Sequence, residues 1–171
     1  MSNKKIELKS LDAIIFDFDG VLTDNRVYVD QHGTELVSCC RGDGLAFEAL
    51  REIGMPVYIL STEKNLIVSQ RAKKLKVPVL QGVMDKADAL TDLVGKQSYE
   101  FGNLLYVGND LNDFHAMALC GYSACPADSH VRIKDLATVT LKTNGGAGVA
   151  RELLEDILRL DLIEILFSSS K

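Results

Sequence analysis

Short apolar runs alternate with stretches of helical spacing along this chain. Leu11-Asp12-Ala13-Ile14-Ile15-Phe16 reads as a first strand, Pro56-Val57-Tyr58-Ile59-Leu60 as a second and Asn103-Leu104-Leu105-Tyr106-Val107 as a third. Tyr122-Ser123-Ala124-Cys125 and Thr138-Val139-Thr140-Leu141 are weaker strands. Residues 44–53, 63–75, 86–94 and 111–119 carry the helical period, and Gly54 supplies a helix stop ahead of the second strand. Val149, Leu153, Leu154, Ile157 and Leu158 mark a last helix over 149–158. The alternation predicts an α/β fold, a Rossmann-like parallel sheet flanked by helices on both faces.

One segment interrupts the alternation. Val27-Tyr28-Val29 and Glu35-Leu36-Val37-Ser38 flank a turn at Asp30-Gln31-His32-Gly33, which predicts a small hairpin flap over about 25–38. It follows the loop after the first strand, at the sheet end where ligands bind. With 171 residues, 47% of them hydrophobic, the chain suits one domain over 1–171 and has no room for a large cap domain. The apolar segment within the tail at about 160–171 is able to pack on its own domain or on another subunit. Ser168-Ser169-Ser170-Lys171 reads as its solvated end.

Composition narrows the function classes. Net charge is -5, and the densest basic cluster, Lys73, Lys74 and Lys76, fits a solvated helix face and not a nucleic-acid stripe. The polar start, Met1 to Ser10, lacks the apolar core of a signal peptide, and no apolar run approaches the ~20 residues that span a bilayer. No nucleic acid, no membrane and a cytoplasmic location are expected. Cys39, Cys40, Cys120 and Cys125 form no CxxC pair and read as buried free thiols.

The chemistry concentrates where strands end. Asp17 and Asp19 of DFDGVLTD follow the first strand, and at that spacing both side chains of an extended segment point the same way. Two carboxylates so close repel unless a divalent cation binds or one holds a proton. Gly20 lets the backbone turn, and a hard cation such as Mg²⁺ suits the oxygen donors. The plainer reading makes Asp17 and Asp19 ordinary turn residues. Ser61 ends the second strand; it holds a phosphoryl oxygen or caps a helix starting at Thr62 or Glu63. Lys86 opens a helix, as a phosphate-neutralising ammonium or a solvated surface residue. GNDLND after the third strand offers Asn109, Asp110 and Asp113 to a metal.

This order of strings resembles the haloacid dehalogenase superfamily over nearly the whole chain. DFDGVLTD, the hairpin, GDGL at 42–45, QGVMDK at 81–86, GNDLND at 108–113 and GGAGVARE at 145–152 resemble its capless branch of 3-deoxy-octulosonate (KDO) 8-phosphate and nonulosonate 9-phosphate phosphatases. The resemblance implies a Mg²⁺-dependent phosphatase in which Asp17 forms an aspartyl-phosphate and Asp19 is the acid and base. Ser61 and Lys86 would clamp the phosphoryl group. Asp17, Asp19, Asn109 and Asp110 would serve the metal, with Gly20 and Asp113 in supporting places. It also implies a homotetramer in which a neighbouring subunit helps close each active site. Position 109 departs from the pattern: the family usually has Asp there, so weaker metal affinity is expected.

Substrate choice rests on the string after Ser61. STEKN at 61–65 is more similar to the nonulosonate (N-acylneuraminate or KDN) phosphatases than to the Thr-Gly-Arg of the KDO enzymes. The same resemblance places Thr62, Glu63, Arg71 and Lys74 at the sugar acid. On a continuous helix, at about 100° per residue, Arg71 lies about 80° and Lys74 about 20° around from Glu63. A charged solvated helix face is the alternative. Two other classes compete: a non-catalytic domain of the kind appended to sialic-acid cytidylyltransferases, favoured by Asn109, and a phosphoacceptor receiver. The receiver is opposed by an acceptor Asp after the first strand.

Overall fold

The computed structural model describes residues 5–168; the ends of the polar start and of the tail, 1–4 and 169–171, lie outside them. Six parallel strands form the main sheet: β1 (Ala13–Phe16), β4 (Val57–Ser61), β5 (Val79–Gln81), β6 (Leu104–Val107), β7 (Tyr122–Cys125) and β8 (Val139–Thr140). Their spatial order is β5-β4-β1-β6-β7-β8, which puts β1 inside the sheet between β4 and β6.

Alternation along each strand divides the core between two faces. Ile14, Phe16, Ile59, Leu105 and Val107 meet α1 (Gly42–Glu52), α2 (Leu66–Leu75), α6 (Val149–Glu152) and α7 (Leu162–Phe167). Phe16 packs on Phe47 of α1 with ring centroids 5.1 Å apart. Ala13, Ile15, Leu60, Leu104 and Tyr106 meet α3 (Lys86–Gln97), α4 (Phe114–Leu119) and α5 (Val131–Leu136). Asp17 continues the Ala13–Ile15 side, so it falls toward the helix that starts with Lys86.

The flap is a two-stranded hairpin, β2 (Tyr28–Val29) and β3 (Glu35–Leu36), and all four residues are exposed. Asn65 Nδ2 donates to Glu35 Oε2 at 2.8 Å and ties it to the start of α2.

Several boundaries differ from expectation. The second helix begins at Leu66, not residue 63, because Asn65 caps it by accepting from Ile67 N. The fourth begins as a 3-10 turn, Leu111–Asp113, before α4. The last predicted helix shifts to π geometry over Leu153–Ile157. β5 has three half-buried residues, too few for the period to register. α5 was hidden because His130 is an unusual cap, its Nδ1 accepting from Arg132 N at 3.2 Å. In the tail, α7 buries Leu162 and leaves Ile163 and Phe167 exposed. All four cysteines are free, but only Cys125 is fully buried. Among the described residues no helix is long and apolar enough to cross a membrane.

Candidate active site

The catalytic candidates collect at the carboxyl ends of β1, β4 and β6. Asp17 follows Phe16, and its N–H donates to Val107 O at 2.8 Å, which locks the end of β1 to the end of β6. The chain then turns at Gly20 (φ +78°), whose N–H donates to Thr23 Oγ1 at 3.1 Å. Asn25, in left-handed backbone at φ +60°, donates its N–H to the same hydroxyl at 3.3 Å. The loop of Gly145 and Gly146 presses directly on this turn: a side chain on Gly145 would meet the Gly20 carbonyl, and one on Gly146 the Asp24 N–H.

Lys86 is buried, which rules out the solvated-surface reading. Asp85 caps α3 by accepting from Ala87 N and Asp88 N, and that start aims the following lysine inward. Its Nζ stands 2.6 Å from Asp17 Oδ1 and 2.7 Å from Asp113 Oδ1. Asp113 accepts Tyr106 Oη on the same oxygen at 2.9 Å. Its Oδ2 takes Asn109 N at 2.9 Å and Asp110 N at 3.3 Å. Its oxygens are thus committed to protein donors, and it organises the 108–110 loop from behind.

One ammonium serves two buried carboxyl groups, so the trio would carry a net negative charge if both were ionised. Burial pushes Asp17 up to about 8, the Asp113 charge adds to this, and Lys86 opposes it. Burial works against a charged Lys86, but Asp17 and Asp113 hold its pKa above the usual lysine value. Asp19 is also raised, first by burial and then by the Glu63 charge, against Lys86 and Thr23.

Asp17, Asp19, Asn25, Ser61, Thr62, Glu63, Asn109, Asp110, Leu111 and Asn112 line one cleft of about 400 Å³. Ser61 is buried, and its Oγ accepts from Glu63 N at 3.1 Å; it caps that turn, not a helix. The Glu63 carboxylate bends back to accept from Lys64 N and Asn65 N. Glu63 precedes α2, so helical rotation from it to Arg71 and Lys74 does not hold. Arg71 and Lys74 line a different cleft with Arg41, Arg51 and Lys76, and Arg71 Nη2 donates to Cys40 O at 2.8 Å.

The donors fit a hard cation. Asn109 lines the cleft with Asp17 and Asp19, and its Oδ1 is buried with no hydrogen-bond partner. A buried acceptor left without a donor is costly, and a divalent cation with oxygen preference would satisfy it. Among the described residues no three His, Cys, Asp or Glu side chains gather as a metal cluster, so such a site depends on the Asn109 amide. Asp110 lies at the mouth, its Oδ1 accepting from Leu111 N.

Comparison with known proteins then decides the family. Residues 57–153 match the model of the haloacid dehalogenase-like hydrolases. The chain belongs to that family. The 3-deoxy-D-manno-octulosonate 8-phosphate phosphatase of Haemophilus influenzae is 31% identical to this hydrolase, over 90% of this chain and 86% of that one. A crystallised haloacid dehalogenase family protein of Streptomyces avermitilis superposes with TM-score 0.90 and 41% identity, over 94% and 92% of the two chains. The corresponding octulosonate phosphatase of Moraxella catarrhalis, solved with a magnesium ion, a phosphate ion and KDO, gives TM-score 0.84 at 29% identity, over 89% and 88%. The expected haloacid dehalogenase fold and the expected phosphatase class both stand.

Sequence reading of this hydrolase missed Thr23, Asn25 and Tyr106. Thr23 left no signal beyond its place in DFDGVLTD. Tyr106 did leave one: a lone hydroxyl inside the apolar string Leu-Leu-Tyr-Val.

Proposed function

We propose that this phosphatase hydrolyses a sugar-acid phosphate, a nonulosonate 9-phosphate of N-acylneuraminate or KDN type, in the cytoplasm and with Mg²⁺. The observation that carries the reading is Lys86 Nζ held 2.6 Å from Asp17, which lines one cleft with Asp19, Ser61 and Asn109.

Asp17 attacks phosphorus through a carboxylate oxygen as the bond to the sugar oxygen breaks, giving an aspartyl-phosphate. Asp19, raised by burial and Glu63, delivers a proton to the departing oxygen. It then takes a proton from water as that water attacks phosphorus, so phosphate leaves and the Asp17 carboxylate returns. Ser61 and Lys86 hold phosphoryl oxygens throughout. Asp17, Asp19, Asn109 and Asp110 would hold Mg²⁺, which when bound would supply positive charge favouring ionised Asp17 and an anionic phosphoryl group.

Thr62 and Glu63 sit at the cleft mouth where a sugar would lie. Arg71 and Lys74 line a second cleft, which favours a homotetramer in which these cations serve a neighbouring subunit's substrate. STEKN at 61–65 supports the nine-carbon substrate. A KDO 8-phosphate substrate is the second reading, favoured by the curated relatives of that activity.

The test is phosphate release from N-acylneuraminate 9-phosphate and KDO 8-phosphate with Mg²⁺. Preference for the nine-carbon ester, abolished in Asp17→Asn, supports the proposal. Preference for the eight-carbon ester selects the second reading, and no release from either favours a non-catalytic domain. Mixing inactive Asp17→Asn with inactive Arg71→Ala subunits regains activity if the cations act across subunits.

A further inference from the structure

We propose that Tyr106 is a positioning residue: through Asp113 its hydroxyl keeps Lys86 shared between Asp17 and Asp113. The inference rests on the reading of Lys86 as the phosphoryl clamp.

Tyr106 lies mid-strand in β6 and is fully buried. Packing alone does not call for tyrosine there, because phenylalanine fills the same space without burying a hydroxyl. The hydroxyl donates to Asp113 Oδ1 at 2.9 Å, on the oxygen that also receives Lys86 Nζ at 2.7 Å. Burial, then the Asp113 and Asp17 charges, hold the phenol far above its ordinary range, so it remains a donor.

The consequence lies in how one ammonium divides between two anions. Lys86 stands 2.6 Å from Asp17 and 2.7 Å from Asp113, a nearly even split. Part of the Asp113 charge on that oxygen is met by Tyr106. Without the phenol, Lys86 is the only side chain donating to Oδ1, and attraction shifts it toward Asp113. The main-chain donors from Asn109 and Asp110 occupy Oδ2 and do not substitute for the phenol on Oδ1. Lys86 then neutralises less charge at Asp17 and at the phosphoryl oxygens. That effect belongs to the reacting state, so turnover suffers more than substrate binding.

The experiment compares full-length wild type, Tyr106→Phe, Asp113→Asn, their double variant and Lys86→Met, using an aryl phosphate and Mg²⁺. Tyr106→Phe is expected to lower kcat about 10-fold with KM changed less than about 2-fold. The double variant should be no slower than Asp113→Asn, because Tyr106 acts only through that carboxylate. Wild-type kcat in Tyr106→Phe, or losses that multiply in the double variant, would overturn the proposal. Loss of folding without a change in kcat per folded molecule would overturn it too. If Lys86→Met keeps full turnover, the clamp reading fails separately. A crystal structure of Tyr106→Phe then decides the geometry: Lys86 drawn off Asp17 supports the inference, and an unmoved ammonium refutes it.

Discussion

Gly20 and Asn109 are packed so closely that a methyl group on Gly20 would collide with the Asn109 side-chain amide. The contact joins the turn after β1 to the loop after β6, and it fixes the amide whose Oδ1 has no protein partner. Gly20 also adopts φ +78°, which disfavours any side chain. Gly20→Ala should therefore cost about 1–3 kcal/mol of stability and displace Asn109. Thermal denaturation reads the first effect, and calorimetric titration with Mg²⁺ reads weakened binding as the second. Unchanged Mg²⁺ affinity would mean that Asn109 does not touch the ion.

Stability of the metal-free protein should fall as pH rises. The folded state holds Asp17 at about 8 against an ordinary 3.8, so between those values it binds more protons than the unfolded chain. The stabilisation is complete below 3.8 and is lost on passing through about 8. Burial moves Asp43 the same way, to about 6, despite main-chain bonds from Arg151 and Ala150. Melting curves from pH 5 to 8 check the trend, and Mg²⁺ should raise the melting temperature more at pH 8 than at pH 5. A metal-free protein that gains stability over this range would contradict the charge balance described for Asp17, Asp113 and Lys86.

Asn109→Asp adds a negative charge beside Asp17 and Asp19. It should tighten Mg²⁺ about 10-fold and destabilise the metal-free protein by roughly 1 kcal/mol. Titration calorimetry and melting in a chelator measure the two effects independently of turnover.

Lys86→Met leaves Asp17 and Asp113 buried without their shared cation. A loss of about 3–5 kcal/mol is expected for the metal-free protein, because removing one partner strands buried charge. Adding Asp113→Asn should recover part of it. Chemical denaturation of both variants tests this, and additive losses would count against a shared network.

Much of this was legible from residue order. Apolar runs located five of the six sheet strands because a strand covered on both faces has few polar positions. Asp17, Asp19, Ser61 and Asn109 were legible as candidates because strand ends in such sheets deliver side chains to one rim, and Lys86 because it opens a helix. Contacts depending on chain paths were not. The separation of Arg71 and Lys74 from Glu63 required knowing that Asn65, not a residue before Glu63, starts α2. The Tyr106–Asp113 bond needed the depth of a mid-strand side chain, and the pressure of Gly145 and Gly146 on the turn at Gly20 needed the closing loop in place.

That closing loop carries a consequence for how the protein comes into being. Asp17 leaves the ribosome well ahead of the glycines that brace its turn, which emerge more than a hundred residues later. A nascent chain paused before Gly145 would hold both aspartates and the lysine without the backstop behind them. Catalytic competence should therefore arrive abruptly during translation, only after Gly145 and Gly146 have left the ribosome.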